Sequence, residues 1–207
     1  MKKRLISLLL AFSMMLTFLP AGAVSAFAEE GMDSNKGTLI PNNFTGNEYI
    51  IENENTTYQM KGNYNFPIKI TAKGVTINIT GDITYGFDSY HDASWRFSYL
   101  IDVQTTGGVT INNDNCNVTT DKSDCGFVAT WGDESATINA GSATINGGRY
   151  TTLDQETFWN SKGKMNLNSV TAECRDDLAV TNRMGTMFIN GGSYKSINST
   201  AIYNNRG

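Results

Sequence analysis

The chain has 207 residues, with 16 Lys+Arg against 20 Asp+Glu, a single His and a net charge of −4. With no basic cluster in the body of the sequence, that balance argues against nucleic acid and anionic membrane surfaces as partners. Asn, Thr, Gly and Ile are abundant, while Leu, Ala, Glu and Lys are too sparse for long amphipathic helices, so a β-rich fold is favoured.

Lys2, Lys3 and Arg4 form a positive n-region, Leu5 to Leu19 an apolar h-region, and Ala26-Phe27-Ala28 a small-x-small cleavage site. These are the parts of a secretory signal peptide, and residues 1–28 are predicted to be removed. Pro20 and Gly22 interrupt the apolar run, which is shorter than the roughly 20 residues of a membrane span. Cleavage removes three positive charges, leaving 13 Lys+Arg against 20 Asp+Glu. The expectation is a secreted or cell-surface protein without membrane insertion. Residues 29–48 show no clear repeat and are expected to form an irregular leader or an N-terminal cap.

From Tyr49 onward the chain repeats itself. V-T-I-N at Val75 returns at Val109, as A-T-I-N at Ala143, as M-N-L-N at Met165 and as M-F-I-N at Met187. A second phrase runs F-W-N-S-K-G from Phe158, V-T-N-R-M-G from Val180 and I-Y-N-N-R-G from Ile202. The later units are thus 22 residues apart, while Val75, Val109 and Ala143 are 34 apart and carry insertions within 86–97 and 121–142. Within each first phrase alternate positions are apolar, which is strand periodicity. Short strands returning in register without intervening helices are best satisfied by winding, so that each coil stacks in parallel on the last. The predicted fold is all-β: a single-stranded parallel β-helix, a solenoid, over 49–207, with about 22 residues per coil and two longer coils.

Stacking carries site expectations with it. Asn78, Asn112, Asn146, Asn168 and Asn190 are expected to form an internal amide ladder at a bend, and Asn160, Asn182 and Asn204 a second one at another corner. Such regular columns are read as structural rather than as ligands. If Phe158, Val180 and Ile202 face inward, Trp159, Thr181 and Tyr203 face outward, with Trp159 and Tyr203 roughly 10 Å apart across two coils. Tyr150 and Tyr194 repeat that spacing, and Trp95 and Trp131 lie in or near the insertions. These aromatics are candidate glycan-stacking residues, with simple coverage of a β surface as the alternative. Cys116 and Cys125 are a candidate disulfide, weighed against three unpaired thiols; none has metal-ligand spacing, and His91 alone cannot complete a zinc site.

The phrases I-N-G-G-R-Y, I-N-G-G-S-Y and T-A-I-Y-N-N-R-G resemble repeats of right-handed parallel β-helix proteins, the pectate-lyase-like superfamily, as found in secreted or surface proteins of bacteria. The resemblance implies three faces per coil and the right-handed winding. It also implies an enzymatic alternative, a polysaccharide lyase holding calcium on neighbouring carboxylates or a hydrolase with paired aspartates. Arg175, Asp176 and Asp177 resemble the double aspartate of polygalacturonases, but the Asn-Thr-Asp, Gly-His-Gly and Arg-Ile-Lys elements of that family are missing. The favoured expectation is therefore a non-catalytic, adhesin-like or glycan-contacting segment with no cofactor and no metal, calcium entering only with the lyase alternative. Its expected partner is an extracellular glycan or a host or cell-surface ligand. The last unit ends on Gly207 without a recognisable cap, which suggests the N-terminal piece of a longer surface protein and self-association through the uncovered last coil.

Overall fold

The computed structural model describes residues 37–87, 98–131 and 141–205. All of them belong to the compact unit Asp33–Gly207. Residues 1–28, expected to be a signal peptide, lie outside the described residues, as do His91 and Trp95. Among the described residues there are two seven-stranded sheets, and successive strands alternate between them. One sheet holds β1 (Thr38–Leu39), β3 (Thr57–Tyr64), β5 (Val75–Tyr85), β7 (Val109–Thr120), β9 (Ser142–Thr152), β11 (Lys164–Cys174) and β13 (Thr186–Ser196), side by side in that order. The other holds β2 (Tyr49–Ile51), β4 (Ile68–Ile70), β6 (Ser98–Val103), β8 (Cys125–Thr130), β10 (Phe158–Asn160), β12 (Val180–Asn182) and β14 (Ile202–Asn204). Every pairing is parallel, so the chain is an all-β parallel solenoid. The sheet already begins at Thr38, inside the segment expected to be a leader or cap.

Side-chain alternation makes the core. Val75, Val109, Ala143 and Met165 form one inward column, and Ile77, Ile111, Ile145 and Leu167 the next. Ile68, Ile101, Val128, Phe158 and Val180 face them from the second sheet, all fully buried. Burying each such side chain contributes about 1.5–3 kcal/mol, which is why the aliphatic phrases fix the register. A slip of one residue would turn the whole set outward.

The long strands are bent. In β9 the buried positions run Ala143 and Ile145, then Gly148, Tyr150 and Thr152, so the alternation changes phase in the middle. Gly147 and Gly148 absorb that change with left-handed φ values of 71° and 88°. A side chain on Gly148 would collide with Asn113 and the Tyr150 hydroxyl. In β11 the bend falls on Ser169 at φ 54°, and in β13 on Gly191 and Gly192 at 78° and 101°. Phase reversal after the bend overturns one expectation: Tyr150 faces the core at 1% exposure, packed 4.6 Å from the Phe127 ring and 5.2 Å from Phe158. The three cysteines are free thiols, Cys125 and Cys174 in the core and Cys116 half-buried, so the Cys116–Cys125 bridge is not formed. Of the segments expected to carry insertions, 86–97 and 121–142, residues 88–97 and 132–140 lie outside the described residues, and Cys125–Thr130 form the regular strand β8.

Candidate functional site

The outer face of the second sheet carries one register column: Ile50, Lys69, Asp102, Ala129, Trp159, Thr181 and Tyr203. Its first part is charged, with Lys69 3.9 Å from Glu48 and Asp102 accepting from Gln104 Nε2 at 2.7 Å. Its middle is aromatic. Trp159 is edge-on to Trp131 at 4.4 Å and tilted against Tyr99 at 5.8 Å, and these residues with Ala129 form a small apolar cluster separate from the core. Trp159 is consequently only 5% exposed. The sequence places it outward, and it does lie on the outer face, but neighbours from two other coils cover it. The aromatic surface that remains open on this face is half-buried Trp131 and, two coils beyond Trp159, Tyr203 at 45% exposure. Tyr194 is half-buried in the last coil, in register with Ala172, and the loss of solvent around it raises its phenol to about 12.

Beside the aromatic cluster sits a carboxylate that the sequence reading passed over. Glu156 lies in the turn before β10. It accepts from Tyr99 Oη at 3.2 Å, from Thr181 Oγ1 at 3.5 Å and from the adjacent Gln155 Nε2, which also donates to Tyr99 Oη at 2.9 Å. Burial pushes the Glu156 carboxyl above the ordinary range, and the charge of Asp177 pushes it further. Asp177 is itself raised, by burial first and by Asp154 second. A carboxyl short of water draws protons and hydroxyl donors more strongly, because either replaces lost hydration. The available signal was Q-E-T-F-W, an acidic residue three positions before an outward Trp. It was hidden because its neighbours in register are not acidic.

The two candidate catalytic aspartates enter different surroundings. Asp176 is in an exposed network: its Oδ1 accepts from Asn198 Nδ2 at 2.6 Å and its Oδ2 pairs with Arg175 Nε at 2.5 Å. The Asn198 bond, then the Arg175 contact, hold it below the usual carboxylate range. Asp177 is raised where Asp176 is lowered, and its charge acts on Glu156, so the two carboxyls with raised values here are Glu156 and Asp177. Among the described residues no three His, Cys, Asp or Glu side chains converge to hold a metal ion.

Both asparagine columns run as hydrogen-bonded ladders, in different places. Asn112, Asn146, Asn168 and Asn190 each donate Nδ2 to the Oδ1 one coil earlier, starting from Asn78, at 2.8–3.0 Å. This ladder lies on the outward phase, just before the bend, rather than inside, half-buried from Asn78 to Asn168 and exposed at Asn190. The other ladder is internal. Ile51, Ile70 and Val103 begin its column, and Thr130, Asn160, Asn182 and Asn204 continue it. Thr130 Oγ1 donates to Asn160 Oδ1 at 2.7 Å, and Nδ2-to-Oδ1 bonds of 2.8 Å link Asn160, Asn182 and Asn204. Buried amides are tolerated here because each neighbouring coil satisfies the next. No family model, curated protein or solved structure matches the chain.

Proposed function

We propose that the chain is an exported, non-catalytic β-helix segment of an extracellular or cell-surface protein, and that the outer face of its second sheet contacts glycan. Under this reading residues 1–28 are the export signal, and the solenoid is of the pectate-lyase-like, right-handed kind. The observation that carries it is the strip from Trp131 across Thr181 to Tyr203, where open aromatic surface flanks the hydrogen-bonded carboxylate of Glu156. Sugar rings present apolar faces and peripheral hydroxyls, so such a strip offers both kinds of contact. Glycan-array screening of residues 29–207, followed by titration, tests it. Trp131→Ala combined with Tyr203→Ala should weaken binding about tenfold or more without changing the β circular dichroism. Absence of binding, or binding indifferent to both changes, would overturn it.

The second reading, a fragment of a polysaccharide lyase or glycoside hydrolase, is favoured by the raised carboxyl pair Glu156 and Asp177. It predicts product release from pectic substrates, with calcium required only for a lyase. Turnover abolished by either Glu156→Gln or Asp177→Asn would establish it over the binding reading.

A further inference from the structure

Charge is sorted on the outer face of the second sheet. Because its strands are parallel, every turn leading into them lies on one side and every turn leading out on the other. Glu156 and Asp177 precede β10 and β12, whereas Lys162 and Arg183 follow them, so the three-residue strands separate the two signs by about 10 Å. Arg175 pairs with Asp176, and among the described residues no Lys or Arg pairs with Glu156 or Asp177. Tyr99 reaches Glu156 by crossing Gly126, its register partner: a side chain on Gly126 would collide with the Tyr99 ring and the Glu156 carbonyl. The Glu156 carboxylate is thereby set beside the Tyr99, Trp159 and Trp131 rings, with Tyr99, Gln155 and Thr181 as neutral donors.

We propose that this face selects a glycan bearing free amino groups, with an ammonium seated against Glu156 beside the aromatic rings, and that it rejects uronate chains. The proposal rests on the glycan-contact reading and narrows it to a substrate class. An ammonium brings both positive charge and several N–H donors to a carboxylate that has lost part of its water, and a charge-assisted hydrogen bond is roughly twice as strong as a neutral one. Indole and phenol faces attract the same cation. The amine thus satisfies both parts of the site at once.

The other sugar classes satisfy less of it. An N-acetylated sugar offers Glu156 only a neutral N–H. A uronate brings like charge to a side of the sheet that already carries Asp154, Glu156, Asp176 and Asp177, on a chain of net charge −4. Burial first and a neighbouring carboxylate second raise both Glu156 and Asp177, which is the response of acids that no cation has reached. An acidic glycan would have to sit at the opposite ends of the strands, beside Lys162 and Arg183, away from Glu156.

The test is calorimetric titration of the intact chain, in mildly acidic buffer, with oligosaccharides of equal length built from glucosamine, N-acetylglucosamine and galacturonic acid. The glucosamine oligomer should bind at least about tenfold more tightly than its acetylated counterpart, and the galacturonate oligomer most weakly of the three. Added salt should weaken the glucosamine complex more than the acetylated one, because only the first depends on charge attraction. Glu156→Gln, which keeps an acceptor for Tyr99, should abolish the preference for the free amine, and Asp177→Asn should reduce it by a smaller factor. Equal binding of the first two oligomers would overturn the proposal while leaving the glycan reading in place, as would tightest binding of galacturonate or a preference that survives Glu156→Gln. Binding of none of the three would also overturn it, and the glycan array then decides the wider reading separately.

Discussion

At the N-terminal end of the described solenoid Ile40 is fully buried, and Phe44 packs edge-on against Tyr49 at 5.4 Å and against Phe66 at 5.1 Å. Tyr64 Oη donates to the Ile40 carbonyl at 3.2 Å, and Gln59 Nε2 to the Gly37 carbonyl at 2.7 Å, so side chains satisfy the backbone there. At the C-terminal end Ile189 is 37% exposed and Ile202 42%, although their register partners one coil earlier, Leu167 and Val180, are fully buried. In the column of Ile189 the isoleucines of earlier coils, Ile77, Ile111 and Ile145, are all fully buried. In a stacked fold, burial belongs to the neighbouring coil as much as to the residue, because each coil covers only one side of the next.

Charge substitution should show that difference most strongly. Ile145→Asp places an unpaired carboxylate where no partner exists and should destabilise by several kcal/mol in urea unfolding, or prevent folding. Ile189→Asp, which the repeat pattern alone would rank as equally severe, should lose no more than about 1 kcal/mol, because the carboxylate reaches water. Equal losses would mean that the last coil is covered.

Phe44→Ala attacks the closed end. It removes the ring that joins Tyr49 to Phe66 and should destabilise by about 2–4 kcal/mol, with faster amide exchange confined to β1 to β4. The ladders give a smaller contrast. Asn160→Ala strands Thr130 and Asn182 in the interior and should lose about 1–3 kcal/mol, whereas Asn190→Ala should change stability by less than about 0.5 kcal/mol.

The smallest expected effect is in pH dependence. Glu156 is raised in the folded state, so the folded chain holds more protons than the unfolded chain between the ordinary carboxylate value and the folded one. Stability therefore falls as pH rises through that interval. Glu156→Gln should remove this slope and be more stable than the native chain above the interval, with no advantage on its acid side. Paired urea titrations at acidic and neutral pH would show it.

What the sequence revealed and what it hid follow from distance along the chain. The V-T-I-N phrases expose the strand period and its returns, because alternation and register are local properties repeated in place. The asparagine columns were legible for the same reason. The coverage of Trp159 was not, since Tyr99 reaches it from 60 positions earlier in the numbering and Trp131 from a neighbouring coil. Tyr150 was misplaced because the left-handed Gly147-Gly148 bend reverses the alternation between the phrase that was read and the residue that was extrapolated. Glu156 escaped because its partners, Tyr99 and Thr181, come from other coils.

Native-state amide exchange, resolved by residue, would show whether stability in this solenoid is conferred coil by coil from both sides. The longest protection is expected in β7, β9 and β11, each paired on both sides, with intermediate protection near the aromatic cluster of Phe44, Tyr49 and Phe66 and the fastest exchange in β13 and β14. Protection of β13 and β14 as lasting as that of β9 would contradict it.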